Sequence, residues 1–237
     1  MLSTSGSIEF MVKPGSKEAR NACRQALRTD AERNRSRVVD AAQEVFAEQG
    51  LTASMAEVAR RAGVGIATLY RRFPTREDLI TDVFADKMSA YVDAIDEAAA
   101  DPDPWNGFCA YVERVCAMQA EDRGFTHVLT MTFPTASEFE AKRAEAYRGF
   151  ERLIERAKET GRLRADFSSQ DLVLLLMANA GVVEATGAAA PDAWRRLMGY
   201  MLQAFSAVGA APLPPAPTPS AMHEAMVGVT CGAANGR

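Results

Sequence analysis

The stretch AEVARRAGVGIATLYRRFPTREDL holds the residues of this sequence that are best suited to contact a polyanion. Tyr70 is followed directly by Arg71 and Arg72, and the small residues Ala67 and Thr68 come shortly before them. Guanidinium and phenol groups donate hydrogen bonds to phosphate oxygens, and small side chains near the N-terminus of a helix let it approach base edges in a DNA major groove. These residue types at this spacing indicate contact with DNA.

Two short helices are predicted to position these side chains. The first begins at Ser54, and a glycine, a valine and a second glycine separate it from the next helix, in which Leu69 and Phe73 repeat at i, i+4. Two short helices joined by a three-residue turn that contains glycine form a helix-turn-helix. Ser54, at a helix N-terminus, also presents free backbone N–H groups to a phosphate. The second helix is predicted to expose Ala67, Thr68, Tyr70, Arg71 and Arg72.

Together with the preceding run RSRVVDAAQEVFAEQG, this stretch resembles the DNA-binding head of the tetracycline-repressor (TetR) family of bacterial transcription regulators. The resemblance covers residues 33–83 and is strongest in the patterns TLY and FPxR. It implies base-edge contacts from Ile66, Ala67 and Thr68, and phosphate contacts from Ser54, Tyr70, Arg72 and Arg76. Position 66 is often polar or basic in the family, so Ile66 either contacts a thymine methyl group or turns inward. Arg76 stands where lysine is usual and preserves the charge.

Helix signals recur along the whole chain and predict an all-α fold. The pattern Ser/Thr-x-x-Glu/Asp, in which a hydroxyl and an acid cap a helix reciprocally, marks predicted starts at Thr29, Ser54, Thr75, Ser137 and Ser168. Glycines that follow helical patterns mark predicted ends at Gly50, Gly63, Gly124, Gly161 and Gly209. No strand pattern stands out. The predicted helices span residues 30–49, 54–62, 66–73, 75–100, 104–122, 124–133, 137–160, 168–186 and 191–207.

The composition varies along the chain and predicts four segments. Residues 1–80 carry 13 basic and 10 acidic side chains, whereas residues 81–237 carry 14 and 21. A polyanion is therefore expected to meet the slightly basic N-terminal part. The first residues lack periodicity, and the end of the chain is rich in proline. We expect a disordered extension (1–28), a helix-turn-helix domain (29–80), a helical ligand-binding and dimerisation domain (81–208) and a disordered tail (209–237).

The sequence argues against several other classes of protein. The longest apolar run has 12 residues, too few to span a bilayer, and no signal peptide is apparent, so we expect a cytoplasmic protein without a membrane partner. Four cysteines without a C-x-x-C pair predict reduced thiols. Cys109 and Cys116 share one helix face and leave metal binding or thiol sensing open, but without clustered ligands we predict no metal and no cofactor. No group of catalytic residues indicates an enzyme.

The two C-terminal helices are predicted to form a dimer interface. The segment DLVLLLMANAGVVEA is apolar nearly all round, and PDAWRRLMGYMLQAF repeats apolar residues at intervals of three and four. Two such helices from each of two subunits make a four-helix interface, and a two-fold dimer suits DNA half-sites. The alternative is that these helices only close the core of the monomer. The predicted interface residues are Leu172, Leu176, Val183, Trp194, Leu197, Met201 and Phe205.

A small-molecule pocket is predicted among the aromatic, methionine and polar residues of the body. Such side chains line typical ligand pockets, although they also fill a plain helical core. His127 and Asn179 are the strongest candidates, because an imidazole and an amide in mostly apolar helices need polar partners. The predicted pocket residues are Tyr91, Phe108, Tyr111, His127, Met131, Phe150 and Asn179.

These expectations combine into a ligand-responsive transcriptional regulator, a repressor that binds double-stranded operator DNA as a homodimer and is released by an unidentified small molecule. From the resemblance, the ligand favours a conformation in which the fourth helix has moved and the two recognition helices no longer match adjacent grooves. Two alternatives stay open at this point. One is a DNA-binding protein without a ligand, and the other is an all-α enzyme whose pocket performs chemistry.

Overall fold

The computed structural model describes residues 17–133 and 136–226 of the chain. Within these ranges the regular structure is helical, apart from an isolated β-bridge between Leu163 and Ser206, and the predicted all-α fold is confirmed. The helices are α1 (Lys17–Gln49), α2 (Met55–Ala62), α3 (Ile66–Arg72), α4 (Arg76–Val83), α5 (Ala85–Ala100), α6 (Pro104–Glu121), α7 (Arg123–Thr130), α8 (Ser137–Glu159), α9 (Ser169–Thr186), α10 (Ala193–Phe205) and α11 (219–226).

Helices α1 to α4 form a head around one apolar core. Val45 and Phe46 of α1 are fully buried, and so are Val58 of α2 and Leu69 of α3. Helices α2 and α3 have only eight and seven residues, and helices this short are not stable alone in water. Their packing against α1 therefore stabilises them and fixes the orientation of α3.

The predicted helix 75–100 is interrupted at Phe84. Its first half begins with the predicted reciprocal cap, since the amide of Asp78 donates to Thr75 Oγ1 at 3.0 Å and the amide of Thr75 donates to Asp78 Oδ2 at 2.9 Å. The backbone leaves helical geometry at Phe84, with φ −104° and ψ 10°. The buried Phe84 ring lies between Phe46 and Phe125, at centroid distances of 6.3 and 6.0 Å. This break separates α4 of the head from α5 of the body.

The body consists of α5 to α10. Helix α5 packs against α6 and α8, and α9 packs against α6, α7 and α10. Phe108 of α6 is fully buried at the centre of an aromatic cluster, with its ring centroid 5.9 Å from that of Phe150 and 5.3 Å from that of Phe167. The division of the chain into domains at 29–80 and 81–208 stays a prediction.

Helix α1 begins at Lys17, well before the predicted start near residue 30. The expected disorder of residues 17–28 is therefore corrected, and Thr29 lies inside the helix instead of capping it. The physical reason is composition, because this segment contains no glycine or proline and is rich in alanine and arginine, which are strong helix formers. The rest of the predicted N-terminal extension lies outside the described residues.

The tail is also more ordered than the sequence predicts, at least as far as residue 226. Helix α11 buries Met222 against the body. Upstream of it, Arg164 Nη2 donates to the carbonyl of Ala211 at 2.7 Å, and the amide of Leu213 donates to Asp166 Oδ2 at 3.4 Å. Proline-rich backbone is extended, but it can still be held by partners from the body. Residues 227–237 lie outside the described part of the chain.

Two predicted helix boundaries are wrong for local reasons. Ser137 is the first residue of α8 instead of its cap, and Glu140 Oε1 accepts the amide of Phe133 at 2.8 Å instead of returning to residue 137. Gly124 does not end a helix but lies in the first turn of α7, where Asp122 accepts the amide of Phe125 at 3.0 Å. Asp122 therefore caps α7, whereas α8 begins after Ala136 without a side-chain cap and Glu140 instead bonds the segment before the helix.

Candidate DNA-reading face and ligand cavity

Helix α3 exposes most of the side chains that the sequence selects for DNA contact. Leu69 is fully buried and anchors the helix on the core, whereas Ile66 and Tyr70 are 43% and 47% exposed. Ile66 therefore points outward, which decides between the two orientations left open for it. Ala67, Arg71 and Arg72 are exposed as well, and Thr68 is half-buried.

The turn before α3 is held by an arginine that sequence reasoning did not select. Arg37 of α1 donates from Nη2 to the carbonyl of Ala62 at 2.7 Å. Gly63 has φ 63°, and a Cβ atom there would lie 2.7 Å from Nη2 of Arg37. A side chain at position 63 would therefore be strained twice, by the left-handed backbone and by this contact. No sequence signal distinguishes Arg37 from the other arginines of α1.

Ser54 and Arg76 both hold the segment that leads into α2. Ser54 caps α2, since its Oγ accepts the amide of Glu57 at 3.1 Å. Arg76 Nη1 donates to the carbonyl of Leu51 at 2.8 Å and also to that of Ala53. Arg76 is thus directed at the backbone of the head itself, which gives it a positioning role. Phosphate contacts from Ser54 and Arg76 stay predictions.

The arginines of α2 and those of α3 differ in their electrostatic surroundings. Arg60 donates to Glu57, and Arg61 forms two hydrogen bonds with Glu48, at 2.8 and 2.9 Å. These hydrogen bonds lower the pKa of both glutamate carboxyls. In the described part of the chain, neither arginine that ends α3 forms an ion pair. The charges of the α2 arginines are thus compensated by glutamates, whereas those of the α3 arginines remain available for contact with phosphates.

A cavity of about 370 Å³ lies in the body between α5, α8 and α9. Tyr91 and Phe150, two of the predicted pocket residues, line it. Apolar side chains of α7 and α9 form a second wall of the cavity, and polar side chains of α8 and α9 form a third. The remaining lining residues that matter for its chemistry are Leu129, Glu140, Arg143, Tyr147, Ser169, Gln170, Leu172 and Leu176.

Several polar side chains of this cavity wall bond to one another or to the backbone. Tyr147 Oη lies 2.7 Å from Ser169 Oγ, and Gln170 Nε2 donates to Tyr147 Oη at 3.3 Å. Arg143 Nε lies 3.2 Å from Glu140 Oε2, and its Nη2 donates to a backbone carbonyl of α7 at 2.7 Å. The charges of Arg143 and Glu140 therefore compensate each other, and the cavity presents no net charge from this pair.

The C-terminal tail closes one side of the cavity. Pro219, Met222, His223 and Met226 belong to its lining, and Met222 is buried. Sequence reasoning missed all four because the proline-rich composition before them is typical of disorder. The sequence did contain one signal for a packed helix here, since Met222 and Met226 are four residues apart and share one helix face.

Five of the seven predicted pocket residues lie outside this cavity, so their contact with a ligand stays a prediction. Phe108 belongs to the aromatic cluster, and Met131 is buried elsewhere. The ring of Tyr111 is tilted against that of Tyr91 at a centroid distance of 6.1 Å, and burial raises the pKa of both phenols. Asn179 is fully buried, and its Nδ2 donates to Gln119 Oε1 at 2.9 Å.

The remaining candidate, His127, lines a different cavity of about 340 Å³. That cavity lies between α7 and α9, and its other lining residues include Thr130, Met177 and Glu184. The imidazole also lies against Gly50 at the end of α1, since a Cβ atom there would be 3.0 Å from Cε1 of His127. His127 thus contacts the head as well as a cavity of the body.

The predicted dimer interface is only partly accessible in the protomer. Four of the seven residues, Leu172, Leu176, Trp194 and Phe205, are buried in the protomer itself, whereas the other three, Val183, Leu197 and Met201, are half-buried. The large apolar residues that α9 and α10 do expose are Leu174, at 43%, and Tyr200, at 55%. The four buried residues therefore close the core of the protomer, which is the alternative that the sequence left open for this pair of helices.

The two cysteines of the body are free thiols, one of them half-buried and the other buried. Burial raises the pKa of Cys109 to about 11 and that of Cys116 to about 12. Among the residues that the structure describes, no group of three His, Cys, Asp or Glu side chains lies close enough together to hold a metal ion. In the same residues, none of the helices combines the length and apolarity needed to cross a membrane.

Two family profiles match the chain. The profile described as bacterial regulatory proteins, tetR family, matches residues 38–83, which include the buried part of α1 and all of α2 to α4. The profile described as the C-terminal domain of SbtR-like transcriptional regulators matches residues 103–207, from α6 to α10. Together the two matches cover more than half of the chain.

Curated relatives match over a limited length. The fatty acid metabolism regulator protein of Bacillus subtilis is 36% identical over 61 residues, which are 25% of this chain and 31% of that protein. An HTH-type transcriptional regulator of Staphylococcus aureus is 34% identical over 67 residues, which are 28% of this chain and 36% of that protein. The chain thus spans about a third of the length of the curated relatives it matches.

Solved structures match over most of the chain at low identity. HlyIIR, a hemolysin II transcriptional regulator, is 15% identical with a TM-score of 0.53, and the match covers 72% of this chain and 97% of that one. FadR from Bacillus subtilis, in complex with stearoyl-CoA, is 17% identical with a TM-score of 0.50, over 72% and 96% of the two chains. At these identities the likeness shows a common fold.

Proposed function

Because the chain belongs to the tetR family of bacterial regulatory proteins, we propose that it is a transcriptional repressor that leaves its operator when a small molecule binds the body. The observation that carries this proposal is the outer face of α3, where Tyr70, Arg71 and Arg72 are exposed beside Ile66 and Ala67. The proposal includes no catalytic step, in keeping with the regulatory description of both matching profiles.

Helix α3 is the proposed reading element. Exposed small and apolar residues at its N-terminal end suit contact with base edges and thymine methyl groups, and the arginines at its C-terminal end suit phosphates. The turn that precedes it is anchored by Arg37, so α3 enters the groove as part of a rigid head. Ser54 and Arg76 support this orientation from the α2 side, through the cap and the carbonyl contacts described above.

We further propose a homodimer through the exposed faces of α9 and α10. Leu174 and Tyr200 lie on these faces, and a Cβ atom on Gly181 or Gly199 would meet nothing within 4 Å in the protomer. A glycine within a helix costs about 1 kcal/mol relative to alanine, and close approach of a partner helix is a reason to keep it. Two heads related by a two-fold axis would then read two half-sites.

The proposed effector is a small, mostly apolar molecule with an uncharged hydrogen-bonding group. The cavity of about 370 Å³ offers the apolar walls. Its hydroxyls and amide, on Tyr147, Ser169 and Gln170, can exchange their mutual hydrogen bonds for bonds to a ligand. A ligand carboxylate would have to compete with Glu140 for Arg143, whose guanidinium also donates to backbone carbonyls. This competition favours a neutral ligand over an anion.

The coupling between cavity and head is proposed to run along α5. Tyr91 of α5 lines the cavity, and the same helix begins next to Phe84, whose ring lies between the head and α7. A ligand that displaces α5 therefore changes the position of α4 and of the head. Such a ligand must bind the DNA-incompetent state more tightly, and operator DNA must weaken ligand binding by the same factor.

The proposal is tested by selecting duplexes from a random DNA library with the full-length protein and then measuring affinity for the enriched duplex and for a scrambled one. Sequence-dependent binding that Arg71→Ala and Tyr70→Ala weaken supports a DNA-reading α3. Effectors are then sought among neutral amphipathic compounds by calorimetry, with and without the duplex. Enrichment of no duplex contradicts the proposed function, and equal ligand affinity in both titrations contradicts the coupling.

A further inference from the structure

Helix α11 turns one face toward the cavity of about 370 Å³. Residues at intervals of three and four share one side of a helix, and the lining residues contributed by α11 follow these intervals. They are Pro219, Met222, His223 and Met226. On the other side of the helix, Ser220, Ala221 and Glu224 are exposed. The face of α11 that meets the body is therefore the one that covers the cavity.

Helix α11 is held less firmly than the other walls of this cavity. Of the eight residues of α11 that the structure describes, only Met222 is buried, whereas seven residues of α8 and six of α9 are buried. The free energy of local opening rises with the apolar area that opening exposes. Detaching α11 therefore costs less than separating any two of the packed helices, so it is the easiest way to open the cavity.

A proline-rich arm connects α11 with an anchor on the body. The anchor consists of the hydrogen bonds from Arg164 to the carbonyl of Ala211 and from the amide of Leu213 to Asp166. The arm, residues 214–218, has the sequence PPAPT and is exposed throughout. Proline-rich backbone is extended and semi-rigid, so the arm spans about 15 Å at 3.1 Å per residue. An anchored arm that ends in a weakly buried helix has the construction of a hinged lid.

We propose that α11 is a lid on this cavity, and that a small molecule enters and leaves beneath it while the packed helices of the body stay together. This inference rests on the proposed function, because it assigns the entry route of the proposed effector. Two methionines on the inner face suit a lid, since their flexible and polarizable side chains adapt to ligands of different shape. Closure of α11 over a bound molecule slows its release.

The test measures access to the cavity through a cysteine placed in its wall. Ser169→Cys makes a small change of volume at a buried lining position. The full-length variant is treated with methyl methanethiosulfonate, a small neutral thiol reagent, and peptide mass spectrometry follows the modification of each thiol over time. Cys116 is buried and does not line this cavity, so it reports general opening of the body in the same sample.

The lid is loosened at its cap, which lies outside the cavity. Thr218 Oγ1 accepts the amide of Ala221 at 3.2 Å and thereby caps α11. Thr218 is exposed and does not line the cavity, so Thr218→Ala weakens the lid without changing the cavity wall. Thr75→Ala is the matched control, because it removes the equivalent cap of α4 in the head. Both substitutions are made in the Ser169→Cys protein.

We expect Thr218→Ala to speed modification at position 169 about fivefold, because the loss of a threonine cap raises the open population of a short helix by about this factor. Modification of Cys116 should not change, and Thr75→Ala should leave the rate at position 169 as it is in Ser169→Cys alone. Equal rates at position 169 in all three proteins overturn the lid and leave the proposed effector site standing. Parallel acceleration at position 169 and Cys116 also overturns it, since the body as a whole then opens.

The labelling requires neither DNA nor an effector, so it separates this inference from the proposed function. If no small molecule alters DNA binding, the proposed function fails, while faster modification at position 169 in Thr218→Ala still supports a lid on the cavity.

Discussion

The imidazole ring of His127 in α7 lies over Gly50, the residue that follows the last turn of α1. A Cβ atom on Gly50 would be 3.0 Å from Cε1 of His127, and the backbone of Gly50 has φ 75°. Since His127 also lines a cavity of the body, one side chain connects that cavity with the longest helix of the head. Any side chain at position 50 has to disturb this contact.

Gly50→Ala is expected to destabilise the protein by more than the backbone strain alone. An alanine whose backbone has left-handed geometry costs about 1–2 kcal/mol, and its methyl group would also contact the imidazole of His127. Gly161→Ala is the matched control, because Gly161 has φ 72° with nothing within 4 Å of a Cβ atom. Urea unfolding measures both variants. Adding His127→Ala to Gly50→Ala should recover part of the difference, and equal losses for both glycines would contradict the steric contact.

Ile66→Ala is expected to alter DNA preference without altering stability. Ile66 is 43% exposed, so its truncation should change the free energy of unfolding by no more than about 0.5 kcal/mol. Loss of an apolar contact with a base edge should weaken discrimination at one base pair, where a mismatch typically costs about 1–3 kcal/mol. The buried Leu69 supplies the contrast, since Leu69→Ala should destabilise by about 2–5 kcal/mol. A selection with Ile66→Ala that returns the wild-type sequence preference contradicts base contact at this position.

Asn179→Leu is expected to destabilise the body by about 1–3 kcal/mol, because it leaves the buried Gln119 Oε1 without its donor. Replacing both amides, in Gln119→Leu/Asn179→Leu, should restore part of that loss, since no buried polar side chain then remains unpaired at the pair. Asn106→Leu, at an exposed position of α6, is the control for the substitution type. Thermal or urea unfolding measures the stability of each variant. A double variant that is less stable than Asn179→Leu alone contradicts the expected effect of the hydrogen bond between Asn179 and Gln119.

Met222→Gln is expected to release helix α11 from the cavity. The thioether of Met222 is buried in the protomer, and an unpaired amide in its place costs free energy that the short helix does not recover. Limited proteolysis should cut the tail faster, and an environment-sensitive apolar dye should gain fluorescence as the cavity opens. Leu213→Gln tests the same tail at a residue that is 55% exposed. Equal cleavage of both variants would show that Met222 does not hold the tail.

The thiol of Cys116 is expected to react slowly at neutral pH. Burial raises its pKa to about 12, and the thiolate is the reactive form. Because the folded pKa exceeds the unfolded value, the stability linked to this group is full below about pH 8.5 and is lost as pH rises toward 12. Alkylation is followed in a Cys23→Ser/Cys109→Ser/Cys231→Ser background, which leaves Cys116 as the one thiol of the sequence, with the denatured protein as reference. Fast labelling of the native protein at pH 7 contradicts the burial.

The head was predictable because its signals are local. The spacing of Leu69 and Phe73, the glycines around the turn and the cap at Thr75 each act within a few residues, and the structure agrees with all of them. The exposed side chains of α3 could be predicted as well, because burying Leu69 fixes which side of a seven-residue helix faces solvent. The orientation of Ile66 needed the structure only because an isoleucine is stable both inside and outside.

The body was less predictable because its site depends on contacts between distant residues. Tyr91 and Phe150 line the cavity. Asn179 was also predicted to line a pocket, but it donates to Gln119, which is sixty positions away in the sequence. Polar residues in apolar helices signal only that a partner exists. Whether the partner is a ligand or another core side chain is decided by how the helices pack.

By itself, the sequence determined the all-α class, the helix-turn-helix, the family resemblance and the side of α3 that faces solvent, since all of these depend on periodicity and on turn chemistry along a few residues. Only the tertiary structure decided that Arg76 holds the carbonyls of Leu51 and Ala53, that Phe84 breaks the fourth predicted helix and that Met222 closes the cavity. Each of these depends on which groups, far apart in the sequence, become neighbours when the apolar faces of the helices are buried together.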